Sequence, residues 1–335
     1  MSLLFLPDIS FHNIRADSNL AKKIKKSFHS KILKKFPKYT FVANLECVLL
    51  KNKNKLRKLI KKPLHSSHIF SKFLRKLNIN NVCLANNHTF DYGLKGFQET
   101  AKHLKNSNIS FFGAGKNFLD ASKPLCLQFG KKKIAIFALS YKPEAGKSLC
   151  GVMSLKQEKS IKFIKKFKKE KKCDYVIVYC HSGIELFNYP LLRDQKIYKK
   201  IIKSGADIVI GSHPHIKQGY EIYENKFIFY SIGDLIFNNL SKKNWVNYTT
   251  YPAHGNYFKE SVENSALKKS YILKFNFVKK ITIEILEVTR NKNFQYRIKK
   301  KSKKNILKES KKFKKELIKK ENIMFRKIIE TKIFK

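Results

Sequence analysis

The chain has 335 residues, 43% of them hydrophobic and 13% aromatic, which is the composition of a globular protein and excludes an intrinsically disordered one. Its 72 basic residues outnumber its 24 acidic residues, so the formal net charge is +48. A charge of this size attracts polyanions such as nucleic acid, anionic lipid headgroups or an acidic polymer. The lysines are spread through every helical segment, which favours a bias in residue usage with weak polyanion affinity over a dedicated nucleic-acid binder.

Cysteine usage and the lengths of the apolar runs indicate the cellular compartment. The six cysteines form no Cys-x-x-Cys pair, and Cys83 and Cys180 lie inside apolar runs, where a free cysteine behaves as a small buried hydrophobe. Residues 1–6 are too short an apolar run for a signal peptide, and no apolar run approaches the roughly 18 residues of a membrane span. The sequence therefore predicts a protein of a reducing compartment, cytoplasmic or peripheral to a membrane.

Apolar runs alternate with segments of helical spacing along most of the chain, a pattern typical of an α/β protein. Strands are predicted at residues 2–9, 39–44, 81–85, 109–113, 125–129, 134–139, 175–179, 206–211, 227–231, 271–273 and 281–285. Helices are predicted at residues 20–36, 65–77, 96–105, 154–172 and 192–204. The strands at 125–129 and 134–139 should form a hairpin, and the last three strands should be antiparallel.

Polar side chains follow the predicted buried strands at the point where each strand ends. They are Asp8, Asn44 and Glu46, then Asn86, Asn87 and His88, then His181, and finally His213 and His215. Taken singly, each has an ordinary explanation, because an Asp or Asn at a strand end is usually a turn former and a lone histidine is usually a hydrogen-bonded one. Together they place carboxylate, amide and imidazole groups at one edge of a sheet, where open α/β proteins build their sites. This donor set suits a divalent metal such as Mn, Fe or Zn.

The same segments resemble a known family. The residues that carry the resemblance are Asn44-Leu45-Glu46, LANNHTFDYG at 84–93, His181-Ser182-Gly183-Ile184-Glu185 with Tyr189-Pro190 and Gln195, and GADIVIGSHPHIKQGYEIYENKFIFYSIGDLIF at 205–237. In order and spacing, residues 3–237 are similar to the capsule-synthesis CapA (poly-γ-glutamate synthesis) family, a branch of the calcineurin-like metallophosphoesterases. The last segment is the most specific of the four.

The resemblance implies a four-layer α/β/β/α sandwich with two divalent metal ions between the sheets. It implies that Asp8 and His215 bind the first metal, that Glu46 bridges both, that Asn87, His181 and His213 complete the second, and that His88 is the general acid or the charge stabiliser at the leaving group. Glu185 and Asp91 could then orient the ligand histidines, although plain surface or turn positions explain these two residues equally well.

Two departures from the family pattern concern the first metal. Pro7 precedes Asp8 where the family has glycine, and Ser10 stands where the Asp-x-His pair of ordinary metallophosphoesterases has its histidine. His12 has the wrong spacing to share the strand face of Asp8. We therefore expect the first metal site to be weak or empty. Ser212, at a position that is often Gly or His, should be harmless.

The C-terminal part of the chain differs in composition. Residues 298–335 combine many lysines with sparse Ile, Leu and Phe and contain no Gly or Pro, which predicts a basic amphipathic helix or a frayed tail. Its apolar stripe could pack on the domain, or the segment could contact a membrane surface or an anionic polymer. We therefore divide the chain into a CapA-like metallophosphoesterase domain at 1–290 and a Lys-rich extension at 291–335.

Three functions remain open from the sequence. The first is a metal-dependent hydrolase in capsule or poly-γ-glutamate-type polymer biosynthesis, acting on a phosphorylated substrate or an anionic polymer. The second is a polymer-assembly or export accessory protein that keeps the fold without catalysis, working with membrane proteins of capsule synthesis. The third is a basic nucleic-acid binder, which ranks last because no nucleic-acid motif or aromatic platform is present.

Overall fold

The computed structural model describes residues 2–170, 173–238, 268–278 and 280–331, with side chains as far as residue 319. The strands are β1 (Ser2–Ile9), β2 (Thr40–Leu45), β3 (Val48–Leu50), β4 (His65–Ser67), β5 (Asn81–Cys83), β6 (Ser110–Phe112), β7 (Ala114–Gly115), β8 (Leu125–Phe129), β9 (Lys132–Ser140), β10 (Gly151–Ser154), β11 (Tyr175–His181), β12 (Ile208–Ser212), β13 (Tyr220–Tyr223), β14 (Lys226–Phe229), β15 (Asp234–Ile236), β16 (Lys269–Asn276), β17 (Thr282–Arg290) and β18 (Tyr296–Lys300). The α-helices are α1 (Asn19–Phe28), α2 (Phe70–Lys76), α3 (Gly93–Asn106), α4 (Phe118–Ser122), α5 (Glu158–Lys169), α6 (Leu192–Lys203) and α7 (Lys303–Thr331).

Two eight-stranded sheets form the centre of the molecule. The first has the order β18-β17-β16-β1-β2-β5-β6 with β15 paired to β1, and the second has the order β13-β14-β12-β11-β9-β10-β7 with β8 paired to β9. In the first sheet β1, β2, β5 and β6 are parallel, and in the second β9, β11, β12 and β14 are parallel. The loops that follow β1, β2 and β5 therefore lie at one edge of the first sheet, and the loops that follow β11 and β12 lie at one edge of the second sheet.

Alternate side chains of the second sheet divide the core into two layers. Ile136 and Ile177 belong to the large cluster that also contains the first sheet and helices α1 to α3, whereas Phe137 and Val178 pack with helices α5 and α6. Because side chains in a strand point alternately to opposite faces, the second sheet lies between the first sheet and its own helices. The architecture is therefore the expected four-layer α/β/β/α sandwich.

Most predicted elements are confirmed, and the differences have local causes. The hairpin of β8 and β9 is antiparallel as predicted, while β14 is antiparallel to β13 but parallel to β12. The prediction of one helix at 65–77 is wrong, because residues 65–67 form β4, paired to β3, before α2 begins. The helix predicted at 20–36 ends as α1 at Phe28 and continues as a π-helical turn at His29–Leu33. The helix predicted at 154–172 begins only at Glu158, and residues 171–172 lie outside the described part of the chain.

The C-terminal helix packs on the second sheet. Residues 298–300, predicted as the start of a helix or tail, instead belong to β18, and α7 begins at Lys303. The buried side chains of α7 are Ile306, Ser310, Phe313 and Leu317. This spacing marks one helix face, and the lysines lie on the others. Residues 332–335, also part of the predicted segment, lie outside the described chain. Among the described residues, every helix is too short or too polar to span a bilayer.

Candidate metal centre

The structure brings the predicted polar side chains together between the two sheets. Asp8 lies near the end of β1, and Glu46 directly follows β2. From the second sheet, His181 is the last residue of β11, and His213 directly follows β12. Parallel strands that end at one edge therefore present donors from both sheets to a common space.

Carboxylate and imidazole atoms cluster there closely enough to share a metal ion. Three groups have one donor atom per residue with all donors within 4.8 Å of one another, namely Glu46, His181 and His213, then Asp8, Glu46 and His215, then Glu185, His213 and His215. The first two groups share Glu46. Such groups are compatible with metal binding, since carboxylate and imidazole are ligands of borderline divalent ions.

Glu46 occupies the middle of this cluster. Its Oε1 lies 3.4 Å from Nε2 of His181 and 3.8 Å from Nε2 of His215. The carboxylate is fully buried, and neither oxygen has a hydrogen-bond partner. Burial raises the pKa of Glu46, and the charge of His215 only partly opposes this rise. A buried carboxylate without donors is costly, and a cation between Glu46 and the two imidazoles would satisfy it.

Asp8 is held in place by donors from three different elements. Its Oδ1 accepts hydrogen bonds from Nδ2 of Asn44 at 3.0 Å and from the hydroxyl of Tyr179 at 2.9 Å. Its Oδ2 accepts the backbone N–H of His213 at 3.2 Å. Burial, with the charge of Glu46, raises the pKa of Asp8 to about 6. A buried carboxylate whose pKa is raised by a second buried carboxylate beside it indicates a cation-binding cluster.

His181 is positioned through both of its ring nitrogens. Nδ1 lies 2.9 Å from Oγ of Ser212, and Nε2 lies 2.8 Å from Oδ1 of Asn87 and faces Glu46. Burial lowers the pKa of His181 to about 3, so the ring is neutral, which is the form that binds metals. Asn87 and His181 therefore approach the same point from opposite sheets. Ser212, expected to be harmless, orients His181.

The two remaining histidines lie on a strained loop. His213 and His215 have φ values of 94° and 59°, in the left-handed region that side chains other than glycine rarely adopt. A residue held in such a conformation costs on the order of 1–3 kcal/mol, and strain of this kind concentrates at functional sites. The loop turns both rings toward the cluster, with centroids 6.0 Å apart, and burial lowers the pKa of His213.

Asp234 is a site residue that the sequence reasoning missed. Its Oδ1 lies 3.0 Å from Nδ1 of His215, and it is paired with Asp8 in the register of β1 and β15. Burial alone would lower the pKa of His215, but the charges of Asp234 and Glu46 outweigh it and raise that pKa. The carboxylate fixes the ring so that Nε2 faces Glu46. The available signal was an acidic residue inside the apolar run Ile232 to Phe237.

His88 and Glu185 lie at the rim of the cluster. Nδ1 of His88 lies 2.8 Å from Oδ2 of Asp91, so Asp91 orients this histidine rather than a ligand histidine. Burial lowers the pKa of His88, but Asp91 outweighs it and the net shift is upward. Glu185 belongs to the group with His213 and His215, and burial raises the pKa of Glu185 to about 7.

The structure places Ser10 and His12, the two residues considered for the missing histidine of the first metal site. Nδ1 of His12 lies 3.1 Å from the carbonyl oxygen of His65, and burial lowers the pKa of His12. His12 belongs to none of the donor groups found in the described chain. Ser10 is buried, and its hydroxyl accepts the backbone N–H of His12 at 3.4 Å. No third imidazole therefore joins Asp8 and His215 among the described residues.

A cavity of about 350 Å³ opens beside the cluster. Its lining includes Asn87, His181 and His213 together with the exposed side chains of Lys142, Lys156 and Arg193, as well as Ser140, Tyr141, Ser182 and Gly183. The guanidinium of Arg193 stacks over the ring of Tyr141 at 4.3 Å, and the hydroxyl of Tyr141 donates to Asp194 at 2.6 Å. Three cations beside the donor cluster favour an anionic ligand.

The two-sheet α/β/β/α fold thus carries acidic and histidine groups that are compatible with metal binding. The model of the family described as bacterial capsule synthesis protein PGA_cap matches residues 3–239, and the chain belongs to this family. The match contains every donor of the cluster.

Two curated relatives carry CapA names. The capsule biosynthesis protein CapA of Bacillus anthracis is 35% identical over 161 residues, which cover 46% of this chain and 39% of that protein. The PGA biosynthesis protein CapA of Bacillus subtilis (strain 168) is 32% identical over 173 residues, which cover 50% of this chain and 45% of that protein. The chain thus spans less than half the length of these relatives.

Solved structures with a similar fold include the 5'-nucleotidase from Candida albicans SC5314. Its TM-score is 0.47 at 10% sequence identity, and the alignment covers 94% of this chain and 58% of that one.

Proposed function

We propose that this protein is a metal-dependent hydrolase that acts on a phosphoester or a related linkage during capsule or poly-γ-glutamate-type polymer synthesis. The observation that carries the proposal is the unpartnered, fully buried carboxylate of Glu46 between the rings of His181 and His215. The printed names of the two CapA relatives supply the biological context.

The chain's donors would divide between two divalent ions, of the Mn, Fe or Zn type. Asp8 and His215 would hold one ion, Glu46 would be shared, and Asn87, His181 and His213 would hold the other. Divalent ions in such a site supply Lewis acidity and neutralise the negative charge of a phosphoester during hydrolysis. A carboxylate suits the shared position because its two oxygens and its charge serve both ions.

The other residues bind substrate and move a proton. Lys142, Lys156 and Arg193 attract the anionic substrate into the cavity. His88 uses Nδ1 to contact Asp91, so Nε2 is left to donate a proton to the leaving-group oxygen. The upward pKa shift that Asp91 causes in His88 keeps this proton available near neutral pH.

A second candidate is a non-catalytic accessory protein of polymer assembly or export. Ser10 favours it, because with serine at this position no third imidazole joins Asp8 and His215 in the described part of the chain. In that role the basic cavity would bind an anionic polymer, and membrane proteins of capsule synthesis would be the partners. The packed face of α7 leaves its exposed lysines for contact with an anionic lipid surface or polymer.

Hydrolysis of a generic phosphodiester by the metal-loaded protein separates the two candidates. For the hydrolase, we expect turnover in the wild type, its loss in His213→Ala and Glu46→Ala, and normal turnover in the control Lys196→Ala, which changes an exposed lysine outside the cavity. A wild type that holds metal but hydrolyses no phosphoester or polymer linkage would favour the accessory protein.

A further inference from the structure

A second, larger cavity is lined by none of the residues of the donor cluster. Its volume is about 730 Å³, within the range of small-molecule sites, and it shares no lining residue with the cavity beside His181. It lies between α1 with the following π-helical turn and the ends of β17 and β18. Its lining residues are Lys23, Lys26, Ser27, Ser30, Lys31, Thr289, Arg290, Asn291, Asn293, Gln295, Tyr296 and Arg297.

The lining contains five cations and no carboxylate. Lys23, Lys26, Lys31 and Arg297 are exposed, and none of the five cations forms an ion pair with a described residue. Two of them are arginines, although the whole chain has only seven arginines among its 72 basic residues. The general excess of lysine explains exposed lysines on α1, but it does not explain this concentration of guanidinium groups.

Arg290 is the deepest of these cations. Its guanidinium lies over the ring of Phe294 at 4.6 Å, and Nη2 donates to the carbonyl oxygen of Phe237 at 3.2 Å. Its Nε is buried and has no acceptor in the described chain. A buried guanidinium with an unused donor is costly unless an anion or water completes its hydrogen bonds.

The cavity wall is fixed by hydrogen bonds that do not use the cations. The backbone N–H of Tyr296 donates to Oγ of Ser27 at 3.1 Å, which joins β18 to α1. The hydroxyl of Tyr296 donates to the carbonyl oxygen of Leu235 at 3.2 Å. The four exposed cations, which have no ion-pair partner in the described chain, can thus face a ligand across a preformed wall.

We propose that this cavity binds a multiply charged anion that carries phosphate groups, at a site separate from the candidate metal centre. A phosphate group carries about −1.5 to −2 charges near neutral pH, so two or three groups in a small volume balance five cations. A carboxylate polymer has one charge per group and would need several units to do the same. Lysine and arginine side chains both bind phosphate oxygens well.

Calorimetric titration of the full chain with inorganic tripolyphosphate tests the proposal. Lys23→Ala/Lys26→Ala should weaken binding by about tenfold or more, as expected for the loss of charge-assisted hydrogen bonds. The matched control is Lys22→Ala/Lys25→Ala, which removes the same charge from exposed positions of the same helix outside the cavity. The control should stay within about twofold of the wild type.

The binding should survive in Glu46→Gln, which alters only the metal cluster, so this result does not depend on the proposed hydrolase function. An equal loss in both double variants would make the effect a general one of surface charge and would overturn the proposal. Absence of binding in the wild type would overturn it as well. Tighter binding of a glutamate polymer than of tripolyphosphate would overturn the assigned ligand class.

Discussion

Asp234 and His215 form a buried pair in which Oδ1 of the carboxylate lies 3.0 Å from Nδ1 of the imidazole. The pair joins β15 of the first sheet to the loop that follows β12 of the second. Because Nδ1 is engaged by Asp234, Nε2 is directed to Glu46, 3.8 Å away. Asp234 thereby positions a residue of the donor group Asp8, Glu46 and His215, which we propose as the first metal site.

The first prediction concerns this pair. Asp234→Asn should lower divalent-metal affinity at the site of Asp8 and His215 by about 10–100-fold, the usual cost of losing such an orienting carboxylate. Calorimetric titration with Mn²⁺ measures the change, and Asp17→Asn, an exposed carboxylate on the surface, is the control. Unchanged affinity in Asp234→Asn would show that the pair has only a packing role.

A second prediction concerns the cations of the smaller cavity. Lys156→Ala/Arg193→Ala should weaken binding of inorganic phosphate to the metal-loaded protein by about tenfold, because two charge-assisted contacts are removed. Metal content should not change, since neither residue contacts the donor cluster. Lys162→Ala/Lys196→Ala removes the same charge from exposed positions on the neighbouring helices and outside the cavity. If this control weakens phosphate binding equally, the cavity has no special part in it.

The sequence predicted the fold and the clustering of the polar side chains because both depend on local patterns. Buried parallel strands appear in a sequence as apolar runs. The polar residues at the ends of these runs can therefore be identified from the sequence, although the distances between them cannot. The roles of Asp234 and Ser212 could not be predicted from such local patterns. They depend on the register of β1 with β15 and of β11 with β12, which only the assembled sheets define. The prediction of a helix at residues 65–67 failed for the same reason. These residues are a strand, β4, because they pair with β3.

A third prediction concerns α7. Phe313 is 9% exposed and packs against Tyr230 with ring centroids 6.0 Å apart. Phe313→Ala should lower the free energy of unfolding by about 3 kcal/mol, because it removes a large buried side chain and leaves a cavity. Leu307→Ala, on the same helix at 53% exposure, should change it by less than about 0.5 kcal/mol.

Urea denaturation of the full chain measures both variants of α7. Equal, small effects would mean that α7 does not contribute to the stability of the domain, and would favour a role for the whole helix at a membrane or polymer surface.

The most direct test of the proposed dinuclear centre is the metal content of the purified protein after loading with Mn²⁺. Mass spectrometry measures the metal, and the result is divided by the protein concentration. The wild type should bind two ions per chain, and Glu46→Gln should lose most of both, because the carboxylate is shared by the two donor groups. Metal-free Glu46→Gln should remain folded, since the substitution removes an unpartnered buried charge. A wild type that binds no ion, or a Glu46→Gln variant that keeps both, would contradict the proposed dinuclear centre.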